Sequence, residues 1–108
     1  MSSPPMRGQV HRATLTSAGP KPYVIVSNNV RNRKLDSVLA VRITTSDKAS
    51  IPTAVPLVSS DPLVGFALAD DIVEVFKDEL AAGTYLGSLS ANTHIALNAA
   101  LAQALGIP

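Results

Sequence analysis

The sequence predicts a compact, barrel-like α+β domain of five or six short strands and one terminal helix. Three observations carry this. Short apolar runs rich in β-branched residues, such as Val24-Ile25-Val26, recur between clusters of Gly, Pro, Ser and Asn; this is the pattern of strands divided by turns. The last long stretch has helical spacing with a start signal and a stop signal. A chain of 108 residues suits one domain with one core.

The elements follow in order. Met1 to Met6 is Ser/Pro-rich and reads as a disordered tail ahead of a single domain, residues 7–108. Arg7 to Leu15 alternates weakly, with Val10 turned inward, and reads as the first strand. Thr16 to Pro20 is a loop. Lys21 to Ser27 is the second strand, opened by a cation and a proline and closed by Ser27, Asn28 and Asn29. Proline fits the first position of a strand and not its middle. Asn28 to Asp36 is too charged to bury and is expected as an exposed loop. Ser37 to Thr45 is the third strand, in which Arg42 and Thr44 share a side while Thr45 faces the other way. Asp47 to Pro52 is a loop, and Thr53 to Val58 a strand that Pro56 demotes to an edge. Ser59 to Pro62 is a turn. Val64 to Val75 is extended but interrupted by Asp70-Asp71, which reads as a solvent-facing bulge or a paired site. Phe76 to Gly83 is a short helical turn and Thr84 to Leu89 a last strand. Ser90 is a good N-cap for a helix over Ala91 to Leu105, which Gly106 and Pro108 stop. Two apolar stripes on that helix, Ile95/Ala99/Ala102 and Leu97/Leu101/Leu105, cover more than one face. Such a helix wants a partner besides its own core, as in a dimer.

Composition excludes several classes of function. There is no cysteine, so no disulfide and no thiolate metal site. His11 and His94 are the only histidines, no cluster has metal-ligand spacing, and no metal or cofactor is expected. No apolar run approaches the ~18–20 residues that span a bilayer, and the N-terminus lacks the apolar core of a signal peptide. The expectation is a cytoplasmic protein that does not engage a membrane. Net charge is +1, but residues 1–50 hold eight Lys/Arg against two Asp/Glu, and residues 51–108 one Lys against six Asp/Glu. The basic half contains both polar strand ends, Ser27-Asn28-Asn29 and Thr44-Thr45-Ser46. If these lie side by side they form a site for an anion such as RNA phosphate. Asn28 and Asn29 serve equally well as turn residues.

Five stretches in order then resemble one family. Arg7-Gly8-Gln9-Val10 is similar to its opening strand, and Pro22-Tyr23-Val24-Ile25-Val26-Ser27-Asn28 to its signature strand. Val41-Arg42-Ile43-Thr44-Thr45-Ser46 resembles the strand ending in Ile-Thr, and Gly65-Phe66-Ala67-Leu68-Ala69-Asp70 the Gly-Val-Ala-Leu-Ala-Asp stretch. Leu86-Gly87-Ser88-Leu89-Ser90 resembles the approach to the last helix. Together they identify the MazF/PemK toxin family, ribosome-independent endoribonucleases of type II toxin–antitoxin pairs, with actinobacterial members nearest. The resemblance implies a small SH3-like β-barrel of CcdB/MazF type with short helices and a C-terminal helix. It also implies a homodimer, an RNA groove, and metal-independent cleavage of single-stranded mRNA, rRNA or a tRNA loop that inhibits translation. An acidic, partly disordered antitoxin would lie in the basic groove and neutralise it. The family's catalytic arginine and threonine map to Lys21 and Thr44. Lysine offers a point charge where arginine offers a rigid fork. Asn28, Asn29, Arg31, Arg33, Arg42, Thr45 and Ser46 are the expected RNA contacts.

In such chemistry the RNA 2′-OH attacks the adjacent phosphorus. A cation neutralises the phosphorane, and a hydroxyl donates to its oxygen. Lys21 and Thr44 suit these two tasks. Two alternatives remain at this point: a protein of the same fold that binds RNA or antitoxin without cutting, for which the Lys21 replacement argues, and one that binds a topoisomerase.

Overall fold

The computed structural model describes residues 4–108; part of the expected tail, residues 1–3, lies outside the described residues. Met6 is already tied down, its N–H donating to Gln9 Oε1 at 3.0 Å and its carbonyl accepting the Gln9 N–H at 3.1 Å.

The chain runs β1 (Gln9–Thr14), β2 (Pro20–Ile25), α1 (Asn29–Lys34), β3 (Ser37–Thr44), β4 (Ala54–Pro56), β5 (Phe66–Phe76), α2 (Lys77–Ala82), β6 (Thr84–Ser88) and α3 (Ala91–Leu105). The six strands form one antiparallel sheet in the order β4-β5-β3-β2-β1-β6. The terminal strands β4 and β6 do not pair with each other, so the sheet is open and the expected barrel is not closed. Pro56 sits on edge strand β4, where its missing N–H breaks no ladder.

Each side of the sheet has its own core, where the sequence suggested one. On one side Leu97, Ala100 and Leu101 of α3 pack on Val10, Val24, Val41, Ile43, Val55 and Ala67. On the other, Leu80 of α2 covers Ala13, Tyr23, Ile25, Val38, Ala40 and Val75. Central strand β3 is therefore buried on both faces, which explains its nearly unbroken apolar run.

Three expectations are corrected. The segment 28–36 is not simply a loop. Asn28 Oδ1 accepts the Arg31 N–H at 2.9 Å and starts α1, and Asn32 is fully buried. Its amide donates to the Ser27 carbonyl at 2.9 Å and its Oδ1 accepts from Ser27 Oγ. A buried polar group costs little once its partners are in place, so a charged segment can still anchor one turn of helix. Strand β2 ends at Ile25, since Val26 and Ser27 both turn their N–H groups to the Leu39 carbonyl. Strand β5 runs through Asp70-Asp71 without a break in the strand. Its pairing with β3 slips there, from Val41↔Ile72 to Ile43↔Ala67, so the acidic pair sits in a bulge. Asp70 accepts the Thr53 hydroxyl at 2.7 Å.

Helix α3 matches the sequence reading at both ends. Ser90 Oγ accepts the Thr93 N–H, and Gly106 closes the helix at φ +70°. Only one apolar stripe is used, and only in part: Leu97 and Leu101 are buried while Leu105 at its end is 58% exposed, and Ile95 of the other stripe is 67% exposed. Among the described residues no helix is long and apolar enough to cross a membrane.

Candidate functional site

Strands β2 and β3 are antiparallel, with Tyr23↔Arg42 and Ile25↔Ala40 in register. Carried two residues outward, that register sets Lys21 at the start of β2 opposite Thr44 at the end of β3. Lys21, Tyr23, Arg42 and Thr44 share a side by strand alternation. The same geometry separates the two polar strand ends that the sequence suggested might meet. Consecutive antiparallel strands point their C-terminal ends in opposite directions, so Ser27-Asn28-Asn29 lies at the far end of β2 from Thr44-Thr45-Ser46, about 20 Å away at ~3.3 Å per residue.

An open cleft of about 450 Å³ occupies the Lys21/Thr44 end. Its lining includes Arg12, Lys21, Arg42, Thr44, Thr45 and Ser46, with Pro20, Pro22 and Ile43 on the strands and Leu63 and Val64 from the β4–β5 loop. The cleft runs across the strand ends, so residues from both faces of the sheet reach it. It holds three cations and three hydroxyls and no carboxylate. Thr44 Oγ1 accepts the Ser46 N–H at 3.2 Å, which leaves the hydroxyl proton free to donate. The Thr44 backbone is pinned by Gly65: at φ +140°, a Cβ there would collide with the Thr44 carbonyl oxygen. Arg42 keeps its Nε buried without a partner. Burial raises the Tyr23 phenol pKa; the Arg42 charge opposes this, and Asp71 and Glu79 add to it.

The structure thus assembles five of the sequence candidates, Lys21, Arg42, Thr44, Thr45 and Ser46, in one cleft. It does not bring Asn28, Asn29, Arg31 or Arg33 to it. Asn28 caps α1, and Asn29 Oδ1 accepts the Arg7 N–H at 2.8 Å. Arg31 donates to the Ser37 carbonyl at 2.8 Å, and Arg33 is exposed on α1. Arg12, Leu63 and Val64 were missed by sequence reasoning. Alternation in β1 alone sets Arg12 beside Val10; only the β1–β2 register, Arg12↔Pro22, brings it next to the site.

A larger cavity of about 740 Å³ lies elsewhere, bordered by Gln9, His11, Lys77, Leu80 and Tyr85. The His11 and Tyr85 rings sit 5.3 Å apart, tilted by 55°. Burial holds the His11 pKa below its usual value, so the ring is neutral at neutral pH. His11 Nε2 lies 3.2 Å from Gln9 Oε1. Among the described residues no cluster of His, Asp and Glu could hold a metal ion.

Comparison with known proteins adds the lineage. The model of the PemK-like, MazF-like toxins of type II toxin–antitoxin systems matches residues 6–105. The chain is 51% identical over 104 residues to the endoribonuclease MazF1 of Mycobacterium bovis, covering 96% of this chain and 95% of that protein. It is equally similar to the endoribonuclease MazF4 of Mycobacterium tuberculosis. Among solved structures, a mycobacterial endoribonuclease in complex with its cognate antitoxin superposes with a TM-score of 0.90 at 51% identity, covering 96% of this chain and 97% of that one. MazF in the MazE–MazF complex of Deinococcus radiodurans, only 20% identical, shares the fold with a TM-score of 0.84 over 99% of this chain and 100% of its own.

Proposed function

The chain belongs to the PemK-like, MazF-like toxin family of type II toxin–antitoxin systems, and from that premise we propose that it is an endoribonuclease cutting single-stranded RNA in the Lys21/Thr44 cleft. The observation that carries the site is the lining: cations and hydroxyls at the paired ends of β2 and β3, with no carboxylate to repel a phosphodiester.

In the proposed reaction the 2′-oxygen bonds to phosphorus as the bond from phosphorus to the 5′-oxygen breaks. One proton leaves the 2′-OH and one reaches the departing 5′-oxygen, exchanged with water. The products are a 2′,3′-cyclic phosphate and a 5′-hydroxyl. Lys21 neutralises the negative charge that builds on the phosphorane, and Thr44, oriented through Ser46, donates its hydroxyl to a non-bridging oxygen. Arg42, Thr45 and Ser46 hold flanking phosphates. We propose that no divalent ion takes part, because Mg²⁺ is usually held through carboxylates and the cleft lining offers three cations and no carboxylate.

The enzyme acts in the cytoplasm as a homodimer, in which exposed Arg33 meets RNA at the α1 end and Asn28, Asn29 and Arg31 do so only with the donors left over from their contacts to α1, Arg7 and Ser37. A cognate antitoxin silences it, as the complexed mycobacterial relative suggests. An acidic segment of that antitoxin would occupy the cationic cleft. The replacement of the family arginine by Lys21 favours one second reading, a protein that binds RNA without cutting.

End-mapped cleavage of total cellular RNA, with EDTA present, separates these. Discrete cuts bearing 5′-hydroxyl ends, lost in Lys21→Ala and Thr44→Ala by about 10²-fold or more, are expected. A folded protein that binds many RNAs and cuts none would establish the non-cleaving reading instead.

A further inference from the structure

We propose that Arg12 is a phosphate-binding residue of this site and supplies the guanidinium fork that Lys21 cannot. The inference rests on the endoribonuclease reading above.

Strand alternation gives Arg12 its direction. Val10 and Arg12 share one side of β1; Val10 is fully buried in the core beneath α3, and Arg12 is the next residue on that side, only half-buried. The core therefore gives way to the open cleft at this position. Arg12 pairs with Pro22, the immediate neighbour of Lys21, and shares the cleft lining with Ile43, Leu63 and Val64. Lys21 and Thr44 belong to the opposite side by the same alternation and close on the cleft from the strand ends. An anion in the cleft would thus meet Arg12 from one side and the Lys21/Thr44 pair from the other.

The second guanidinium, Arg42, is less suited to this task. It stands opposite Tyr23 with its Nε buried, which takes part of the fork out of reach of the cleft. The Arg12 backbone is also fixed. A Cβ at position 83 would collide with the Arg12 carbonyl oxygen, so glycine there lets β6 pass close against it. A fixed backbone makes the long side chain a better-aimed clamp.

Lysine and arginine differ in what they give a phosphate. Lysine gives one compact charge, and arginine gives two parallel N–H donors in a plane. Dividing point charge and fork between Lys21 and Arg12 restores both contributions. The role is thus tested by exchange between the two positions. Single-turnover cleavage is compared for wild type, Arg12→Ala, Arg12→Lys, Lys21→Arg and the double variant Arg12→Ala/Lys21→Arg. Binding is measured in parallel with an RNA oligonucleotide whose reactive 2′-OH is replaced by hydrogen.

Arg12→Ala is expected to slow cleavage by about 10²-fold, and Arg12→Lys to recover only a small part of that. Lys21→Arg should restore about tenfold or more in the Arg12→Ala background. The slope of log binding constant against log salt should flatten by about 0.7 in Arg12→Ala, the mark of one lost single-strand phosphate contact. A merely structural role would move neither the rescue nor the salt slope. Cleavage by Arg12→Ala within about threefold of wild type overturns the proposal. So does an inactive Arg12→Ala that Lys21→Arg fails to rescue. Should Arg12→Ala not fold, Arg12→Gln keeps the stem, and the same loss and rescue are required of it. A wild type that cuts no RNA defeats the nuclease reading and this proposal together; a cutting wild type with an indifferent Arg12→Ala defeats this proposal alone.

Discussion

Thr44 is held from two directions: its hydroxyl oxygen takes the Ser46 N–H, and its carbonyl lies against Gly65. Gly65 has two reasons to be glycine, a φ of +140° and the lack of room for a Cβ, whereas Gly19, at φ +96°, has open space around it. The pair separates backbone strain from collision. Gly19→Ala should cost about 1–2 kcal/mol in a urea melt and leave cleavage unchanged. Gly65→Ala should cost more and also slow cleavage about tenfold or beyond, since a shift near 1 Å at a reacting group is costly. Equal rates in the two variants would show that the Gly65 contact does not position Thr44. At this scale the sequence was half legible. Lys21 and Thr44 could be singled out because they match the family's arginine and threonine at two strand ends, and the β2–β3 register does set those ends side by side. Asn28, Asn29 and Arg31 could not, because an asparagine that caps a helix and one that meets a ligand look alike until its partner is known. Here the partners are backbone groups of α1, β3 and the β1 approach.

The elements were mostly readable where local chemistry decides them. Helix α3 needed only its cap and its stop. Helix α1 escaped detection because its stability comes from the buried Ser27–Asn32 pair, a contact that no local periodicity displays. The β4–β5 loop is a further case. Asp61 ties it to α3, its Oδ1 accepting the Ser90 N–H at 2.7 Å and its Oδ2 the Thr93 hydroxyl at 2.6 Å and the Val58 N–H at 2.8 Å. Burial alone would raise this carboxyl's pKa, but the hydrogen bonds from Thr93, Val58 and Ser90 outweigh it and hold it below its usual value of 3.8. A carboxyl depressed in the folded state stabilises the fold above its unfolded pKa and loses that contribution as pH falls through the folded value. Wild type should therefore lose stability on acidification below about pH 4 more steeply than Asp61→Asn. At neutral pH the variant should be about 1–3 kcal/mol less stable. Melts at a series of pH values measure both; parallel pH profiles for the two proteins would refute the tie. Because Leu63 and Val64 line the cleft from this same loop, Asp61 links the footing of α3 to one wall of the site.

For the whole molecule, the charge asymmetry of the sequence is rearranged by topology. The basic half supplies the three adjacent strands β1, β2 and β3, and the acidic half supplies β4, β5 and β6 around them. What reads as two halves along the chain becomes a basic middle with the carboxylates of β5, Asp70, Asp71 and Glu74, on one flank and uncharged β6 on the other. The second prediction from sequence, a partner for α3, belongs here too. Ile95, Leu105 and Ile107 remain mostly exposed, and a hollow of about 280 Å³ beside them is lined by Val26, Leu39, Ile72, Leu101, Leu105 and Ile107. Light scattering after gel filtration should give a dimer for wild type, and Leu105→Glu should weaken self-association by about tenfold or more, as expected where an apolar contact must accept a charge. A monomeric wild type would remove the homodimer from the proposed function. One property of the sheet also bears on how the chain is made. Strands β1 to β3 form a meander of near neighbours, whereas β6 returns to β1 across most of the chain, Gln9 meeting Ser88. Loops that long close late, because the entropy of joining distant segments comes before any reward from contact. A ribosome will therefore have released the chain through Ser88 before the outer side of β1 is covered. During that interval β1 is an unprotected edge, and the newborn protein is at its most vulnerable to proteases and to pairing with its own copies.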